Sequence, residues 1–420
     1  MLLKRYKINN NLSYFLYPTK KYKSFSVKIY FLLPYDKNKI TIRNLLKSVL
    51  LYNTKKYNEV ALVEKKKELY NLRINIDNSI INNMQQFTFS ISGTNPKYFN
   101  DEEYTINSIL EYLNEIIFNP NIENNKFNEE SFNMCFNRYK IALKTSMEDK
   151  NTLAFYESIN LIKDKENKYF SYGYLKDFDK ISNELLYKEY LELINSKIII
   201  ACIGDLNKDE LKYNFNKYFN NYLEYTSKVK MKPTKYQDVK EKVIKVNTEQ
   251  AIMIMTFATE VNKFKEDYFN LLIFNMLFGG EANSKLFQVI REEYGFCYEI
   301  YSSVDANSGL VTVYIGLDER NIDKAKLLIL EQIEEIKKGN FSKKMINEYI
   351  QNENLKVKTV YDSMNSTLAR EISLYLYDRD SSFKLLKEDL NKVTKESIQN
   401  VAHKVKHINT VIIKSKGGKK

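Results

Sequence analysis

The chain has 420 residues, is 44% hydrophobic and carries a formal net charge of +12, long enough for two or three domains with sizeable cores. No apolar run approaches the ~20 residues of a membrane-spanning helix, and residues 1–14 are polar and basic with no signal-like apolar stretch. Lysines are spread along the whole chain beside Glu and Asp, which reads as a solvated charged surface and not as a nucleic-acid patch. Cys135, Cys202 and Cys297 lie far apart, with no CxxC pair. Buried free thiols and a cytoplasmic location are therefore expected, with no nucleic-acid partner.

In chain order, Ser24-Phe25-Ser26-Val27-Lys28-Ile29-Tyr30 reads as a strand and leads into a helix bearing Leu45-Leu46. Glu68-Leu69-Tyr70-Asn71-Leu72 follows, and then the alternating strand Phe87-Thr88-Phe89-Ser90-Ile91. An amphipathic helix is expected around 106–117, and the Asn-rich stretch 119–128 reads as a loop. Thr152-Leu153-Ala154 comes next, and the apolar strand Ile198-Ile199-Ile200 closes this half.

The pattern then runs a second time. Ala251-Ile252-Met253-Ile254-Met255-Thr256 answers the first strand, and Leu271-Leu272 answers Leu45-Leu46. Glu292-Glu293-Tyr294-Gly295-Phe296, Val311-Thr312-Val313-Tyr314-Ile315, a helix around 325–336, Thr367-Leu368-Ala369 and Val411-Ile412-Ile413 complete it. A repeat of this length means two similar domains and not a solenoid. Strand runs mixed with helical runs, without βαβ alternation, give an α+β class. The expected architecture is two homologous domains, each a mostly antiparallel sheet packed with helices. They are placed at 1–225 and 239–420, joined by the Lys-rich stretch 226–238 that contains Pro233. The 11 glycines form no G-x-G-x-x-G, and Gly279-Gly280 reads as a helix stop.

Two stretches carry a family resemblance. Residues 278–298 run Phe-Gly-Gly-Glu-Ala-Asn-Ser-Lys-Leu-Phe-Gln-Val-Ile-Arg-Glu-Glu-Tyr-Gly-Phe-Cys-Tyr. This resembles the pitrilysin/insulinase signature of a glycine run, Ser-x-Leu-Phe and Ile-Arg-Glu-x-x-Gly-x-x-Tyr. Asn53-Thr54-Lys55-Lys56-Tyr57 is similar to the Gly-Thr-Lys-x-Tyr that follows the family's zinc helix. The two-domain repeat fits as well, so the resemblance spans nearly the whole chain.

Active members of that family carry an inverted zinc motif, His-x-x-Glu-His. Two His at i and i+4 share a helix face and bind the metal, and the Glu is general base for zinc-bound water. By the family's spacing these positions hold Asn44, Lys47 and Ser48. Asn is a poor zinc ligand, and Lys repels a cation while lacking base function at neutral pH. The third ligand, a Glu, falls within 137–145, which contains no carboxylate. The expectation is a chain that binds no metal of its own. The only histidines, His403 and His407, are spaced to pair on a helix, but Lys404 and Lys406 lie between them and no carboxylate does. They read as an exposed basic helix end.

Arg291 and Tyr298 stand at the spacing of the family's substrate-clamping pair, and both side chains donate hydrogen bonds to a peptide carbonyl or an oxyanion. The first half holds Lys67 and Ile74 there. The resemblance implies the zinc-less subunit of a small bacterial heterodimeric peptidase. On that reading a paralogous partner carries the zinc, and this chain supplies Arg291 and Tyr298 for proteolysis or maturation of peptides. The family also binds peptides by adding a strand to a sheet edge. Residues 74–91 occupy that place, with 78–86 reading as a turn or loop. The rival expectations are a scaffold of the same fold and a binder of acidic surfaces.

Overall fold

A computed structural model describes residues 3–81, 83–164, 168, 170–229, 232–378 and 383–417, with 383–386 as backbone only. The chain divides into two compact units, one made of Met1–Lys144, Ser171–Val229 and Thr359–Ser381, the other of Thr145–Phe170, Lys230–Lys358 and Ser382–Lys420.

The first unit is built on β1 (Lys4–Lys7), β2 (Ser13–Pro18), β3 (Ser24–Pro34), β4 (Arg73–Ile81) and β5 (Met84–Thr94), followed by the short β6 (Ile122–Glu123) and β7 (Lys126–Phe127) and by β8 (Lys197–Gly204). Six of them form a sheet in the order β1-β2-β8-β3-β5-β4. Only β2 and β8 pair in parallel. Along β3 the odd positions Phe25, Val27, Ile29 and Phe31 are buried in one core with Leu45, Leu46, Ile109 and Leu113 of the overlying helices. The even positions Lys28 and Tyr30 belong to the other face.

The second unit contains β9 (Lys240–Val246), β10 (Ala251–Ala258), β11 (Cys297–Asp305), β12 (Leu310–Leu317) and β13 (Lys406–Ser415), ordered β11-β12-β10-β13-β9. Here β9 and β13 are the parallel pair. The order and strand directions match the first sheet from β4 to β2, so the repeat seen in the sequence is a repeat of topology. The α+β class and the paired mixed sheets agree with expectation.

The units are not the contiguous halves 1–225 and 239–420. The helix Lys150–Leu161 packs on β10 and β13, and the helix Met364–Tyr377 packs on β3 and β8. Ala154 is fully buried with Ile252, Ile254, Val411 and Ile413. Each half therefore completes the other unit with one helix, and these two helices carry the repeated Thr-Leu-Ala triplets. Amphipathic periodicity gives a helix an apolar face but does not say which sheet that face covers. Of the expected linker 226–238, residues 230 and 231 lie outside the described residues.

Two other local expectations are corrected. Within 119–128, β6 and β7 form a hairpin turning at Asn124 and Asn125, both with positive φ. That is the backbone of a tight hairpin turn, which Asn tolerates. The 78–86 stretch is strand on both sides, with Ser79 opposite Gln86 and Ile81 opposite Met84; residue 82 lies outside the described residues. Its polar residues are strand residues, of which Gln85 is buried and bonded to half-buried Asn78.

Ala154→Leu adds volume to a filled site and is expected to cost about 1–3 kcal/mol. Calorimetry should show a lower melting temperature. Val60→Ala, at a 68% exposed position, serves as the near-neutral control.

Candidate functional site

Asn44, Lys47 and Ser48 lie on one helix, Ile40–Leu50. Asn44 is buried at 6% exposure and both ends of its amide are engaged. Its Nδ2 donates to the carbonyl of Ser171 at 2.7 Å, and its Oδ1 accepts from Asn78 Nδ2 at 3.1 Å. Tyr139, on the helix Glu129–Glu148 that holds the expected third-ligand window, donates its hydroxyl to Tyr172 O at 2.6 Å. Burial pushes that phenol's pKa up. Residues 171 and 172 thus lie against the Asn44 face of the first helix and Tyr139 of the second. Gly173 follows with φ +88, and a Cβ there would meet Tyr139 Oη at 2.5 Å and Thr41 Oγ1 at 2.9 Å. The close approach requires glycine.

The hydrogen bonds continue inward. Gln85 Nε2 donates to Asn78 Oδ1 at 3.0 Å, and Arg43 Nη1 donates to Gln85 Oε1 at 2.6 Å. Arg43 Nε meets Glu189 Oε2 at 3.0 Å, and Lys39 Nζ meets Glu189 Oε1 at 2.8 Å. Asn44 is the outer end of a continuous polar chain.

Ser48 lines a pocket of about 400 Å³ with Tyr52, Glu59, Cys135, Arg138 and Tyr139. Its one carboxylate, Glu59, pairs with Arg138 at 3.5 Å, and burial pushes the Cys135 thiol up to about 11. Among the described residues no group of three or more His, Cys, Asp or Glu is arranged to hold a metal. All three cysteines are free and buried. His403 and His407 do not share a helix. His403 ends the helix Lys395–Lys404, whereas His407 sits half-buried in β13. Its Nε2 lies 2.9 Å from Asn409 O and 2.8 Å from Thr410 Oγ1.

The Arg/Tyr pair has the opposite character. Arg291 lies in the π-helical segment Phe287–Glu293, over the Phe287 ring at 4.4 Å and 3.7 Å from Glu292 Oε1. Its side chain is 40% exposed. Tyr298 stands on β11, where the pairing with β12 shifts register between Cys297 and Glu299. Such a bulge re-aims the side chain it displaces. Tyr298 is 90% exposed. The π-helical segment packs against β11, and β11 is the edge of its sheet, as β4 is of the other.

A family profile described as Peptidase M16 inactive domain matches residues 186–353, which include Arg291 and Tyr298. That stretch matches the profile of a peptidase M16 inactive domain. Across its whole length the chain is M16-peptidase-like. It is 26% identical over 424 residues to a Bacillus subtilis protein named probable inactive metalloprotease YmfF, covering 95% of each. A solved structure of a conserved protein from Enterococcus faecalis superimposes with TM-score 0.90 at 24% identity over 100% of both chains. One titled peptidase M16 inactive domain, from Pseudomonas fluorescens, does so with TM-score 0.78 at 13% identity, again over 100% of both. The M16-like fold is the one that the residue 278–298 motif resembles.

The chain holds Asn, Lys and Ser at 44, 47 and 48, none of which is the His or Glu that a zinc peptidase's motif supplies. What the sequence does not reveal is what takes their place. Gln85, Asn78 and the 171–173 segment belong to the site, yet no spacing rule connects them to Asn44. The sole signal is the run of polar residues inside an otherwise strand-like hairpin.

Asn44→Ala leaves the Ser171 carbonyl and the Asn78 amide unpartnered, with an expected loss of about 1–3 kcal/mol in stability, read by denaturant titration. The triple substitution Asn44→His, Lys47→Glu and Ser48→His is expected to retain no zinc after dialysis, as measured by atomic absorption. Stoichiometric zinc would mean that a ligand outside 137–145 completes the site.

Proposed function

We propose that this chain is the zinc-less subunit of a two-chain peptidase, whose Arg291 and Tyr298 hold a peptide against a zinc ion carried by a paralogous partner subunit. The reading rests on the 90% exposure of Tyr298 at a strand bulge, beside a half-exposed Arg291. A tyrosine so placed contributes little to folding, while its hydroxyl is free to donate outward. The degenerate zinc positions, in contrast, are engaged by the protein itself. An Arg guanidinium and a Tyr hydroxyl suit the charge that develops on a peptide carbonyl under attack.

In this proposal the chain contributes no cofactor, and the zinc belongs to the partner. The substrate is an extended peptide, seated by main-chain hydrogen bonds along an open sheet edge. β4 offers such an edge: it has one pairing neighbour, and Arg73, Asn75, Asp77 and Ser79 on it are exposed. The far edges are charged, with Lys4, Arg5 and Lys7 on β1 and Lys240, Glu241, Lys242 and Lys245 on β9, which discourages strand addition there. A cytoplasmic location suits three buried free thiols. No helix among the described residues is long and apolar enough to cross a membrane.

The test is a zinc and peptidase assay on the purified chain, alone and mixed with a His-x-x-Glu-His subunit encoded beside it. Activity is expected only on mixing. In the mixed complex, Arg291→Ala with Tyr298→Phe should lower turnover by roughly 10²–10³ without affecting assembly by gel filtration. Unchanged turnover in an intact complex would assign the chain a scaffold role instead.

A further inference from the structure

The helix Met364–Tyr377 covers the open face of the first sheet at β8 and β3, while Asp77 and Ser79 on β4 stay exposed. Between them lies a cleft of about 310 Å³, lined by Lys28, Tyr30, Asp77 and Thr88 of the strands and by Ile372 and Leu376 of the helix. Lys28 and Tyr30 stand two apart on β3 and so share a face. Tyr30 pairs with Thr88, and Thr88 with Asp77, so the three form one row across the sheet.

The cleft holds donors that the protein leaves unused. Tyr30 is 4% exposed, and its hydroxyl has no hydrogen-bond partner. The ammonium of half-buried Lys28 makes no hydrogen bond among the described residues, and burial pulls its pKa down. The one carboxylate that acts on it is Asp77, and Asp77 Oδ2 already accepts from Asn75 Nδ2 at 2.8 Å. Thr88 Oγ1 accepts from Gln86 Nε2 at 3.1 Å and keeps its own proton to donate. An unpaired buried donor such as the Tyr30 hydroxyl is costly, and a group held in that state suits a ligand that satisfies it. The opposite wall is largely apolar, from Ala369, Ile372 and Leu376, with Ser373 among them. Cationic and hydroxyl donors facing an apolar wall match an acid with a hydrocarbon body, and the volume is that of a small-ligand pocket.

We propose that this cleft binds a carboxylate, which accepts from the Lys28 ammonium and the Tyr30 hydroxyl while its apolar body lies against Ile372 and Leu376. The same chemistry is offered by a free small acid and by the α-carboxylate of a peptide. The site shares no residue with Arg291 or Tyr298, so either proposal can fail alone. Asp77 stands at the rim as a competing anion, and its removal favours the guest.

The experiment is titration calorimetry on the full chain with four probes. These are hexanoate, hexanamide, N-acetyl-Ala-Ala-Leu with a free carboxylate, and the same peptide as its amide. At least one acid is expected to bind about tenfold tighter than its amide, and which one does so identifies the source. Lys28→Met should weaken that acid about tenfold or more, Tyr30→Phe should weaken it less, and Asp77→Asn should tighten it. Circular dichroism and melting temperature verify that each variant is folded. Should Lys28→Met fail to fold, the Tyr30→Phe and Asp77→Asn responses decide. Equal binding of acid and amide, binding of no probe, or an affinity indifferent to Lys28 overturns the proposal.

Discussion

Arg43 is 2% exposed, and a guanidinium that deep has to be met by charge and by hydrogen bonds on every side. Glu189 supplies the charge, itself shared with Lys39, and Pro34 O and Gln85 Oε1 take further protons. Satisfying Arg43 fixes Gln85, whose remaining amide protons then have to be placed. They go to Asn78, and Asn78 in turn donates to Asn44. A requirement that starts with one buried cation is thus passed through the β4–β5 hairpin to the helix Ile40–Leu50. It ends at the carbonyl of residue 171. Asn44 is held by this chain of obligations. An amide fits because it donates and accepts at once, where a zinc-binding imidazole needs a bare lone pair turned toward the metal.

This also explains which parts of the protein were legible in the sequence. The strands around Val27, Ile91, Ile200, Ile254, Val313 and Ile412 were, because each is a short apolar or alternating run and the set appears twice. The 278–298 motif was, because it is contiguous. Gln85 was not. A fully buried glutamine looks, residue by residue, like part of a polar loop, and only its distant partners make it compatible with a strand. Asn124 and Asn125 failed for the opposite reason, since an Asn-rich composition describes a loose loop and a tight turn equally well. The His403/His407 spacing presumed one continuous helix, whereas the chain leaves the helix at Lys404 and enters β13 at Lys406.

The exchanged helices were invisible on different grounds. Lys150–Leu161 and Met364–Tyr377 each have an apolar face and a good N-cap, from Asp149 and Ser363. Both features are local, and the choice of sheet is not. Ala154 is small because Ile252, Ile254, Val411 and Ile413 leave no room for more; Leu368 is fully buried in the other unit. The repeated triplet marks the paired helices as equivalent without saying where either lands. Because the exchange is reciprocal, neither half contains all of its own core. The folding unit is therefore the whole pair.

Asn44 and Tyr298 stand at opposite ends of what stability explains. Removing Asn44 strands a carbonyl and an amide in the interior, so folding alone is enough to account for an asparagine there. Tyr298 buries almost nothing, and Gly295 just before it, with φ +62, has no neighbour within 4 Å of where a Cβ would stand. The turn carrying the tyrosine outward is anchored by Phe296 and Cys297 on the core, while Gly295 itself faces open space. Arg291 is likewise oriented by its own segment, stacked on Phe287, and not by a buried partner. A fold under pressure only to remain folded has no use for an aromatic ring raised at a bulge on an edge strand. Exposed aromatic and guanidinium groups are the side chains that gain most from a bound partner. The interior of this chain thus accounts for the asparagine at position 44, and the proposed binding role accounts for what position 298 presents to the outside.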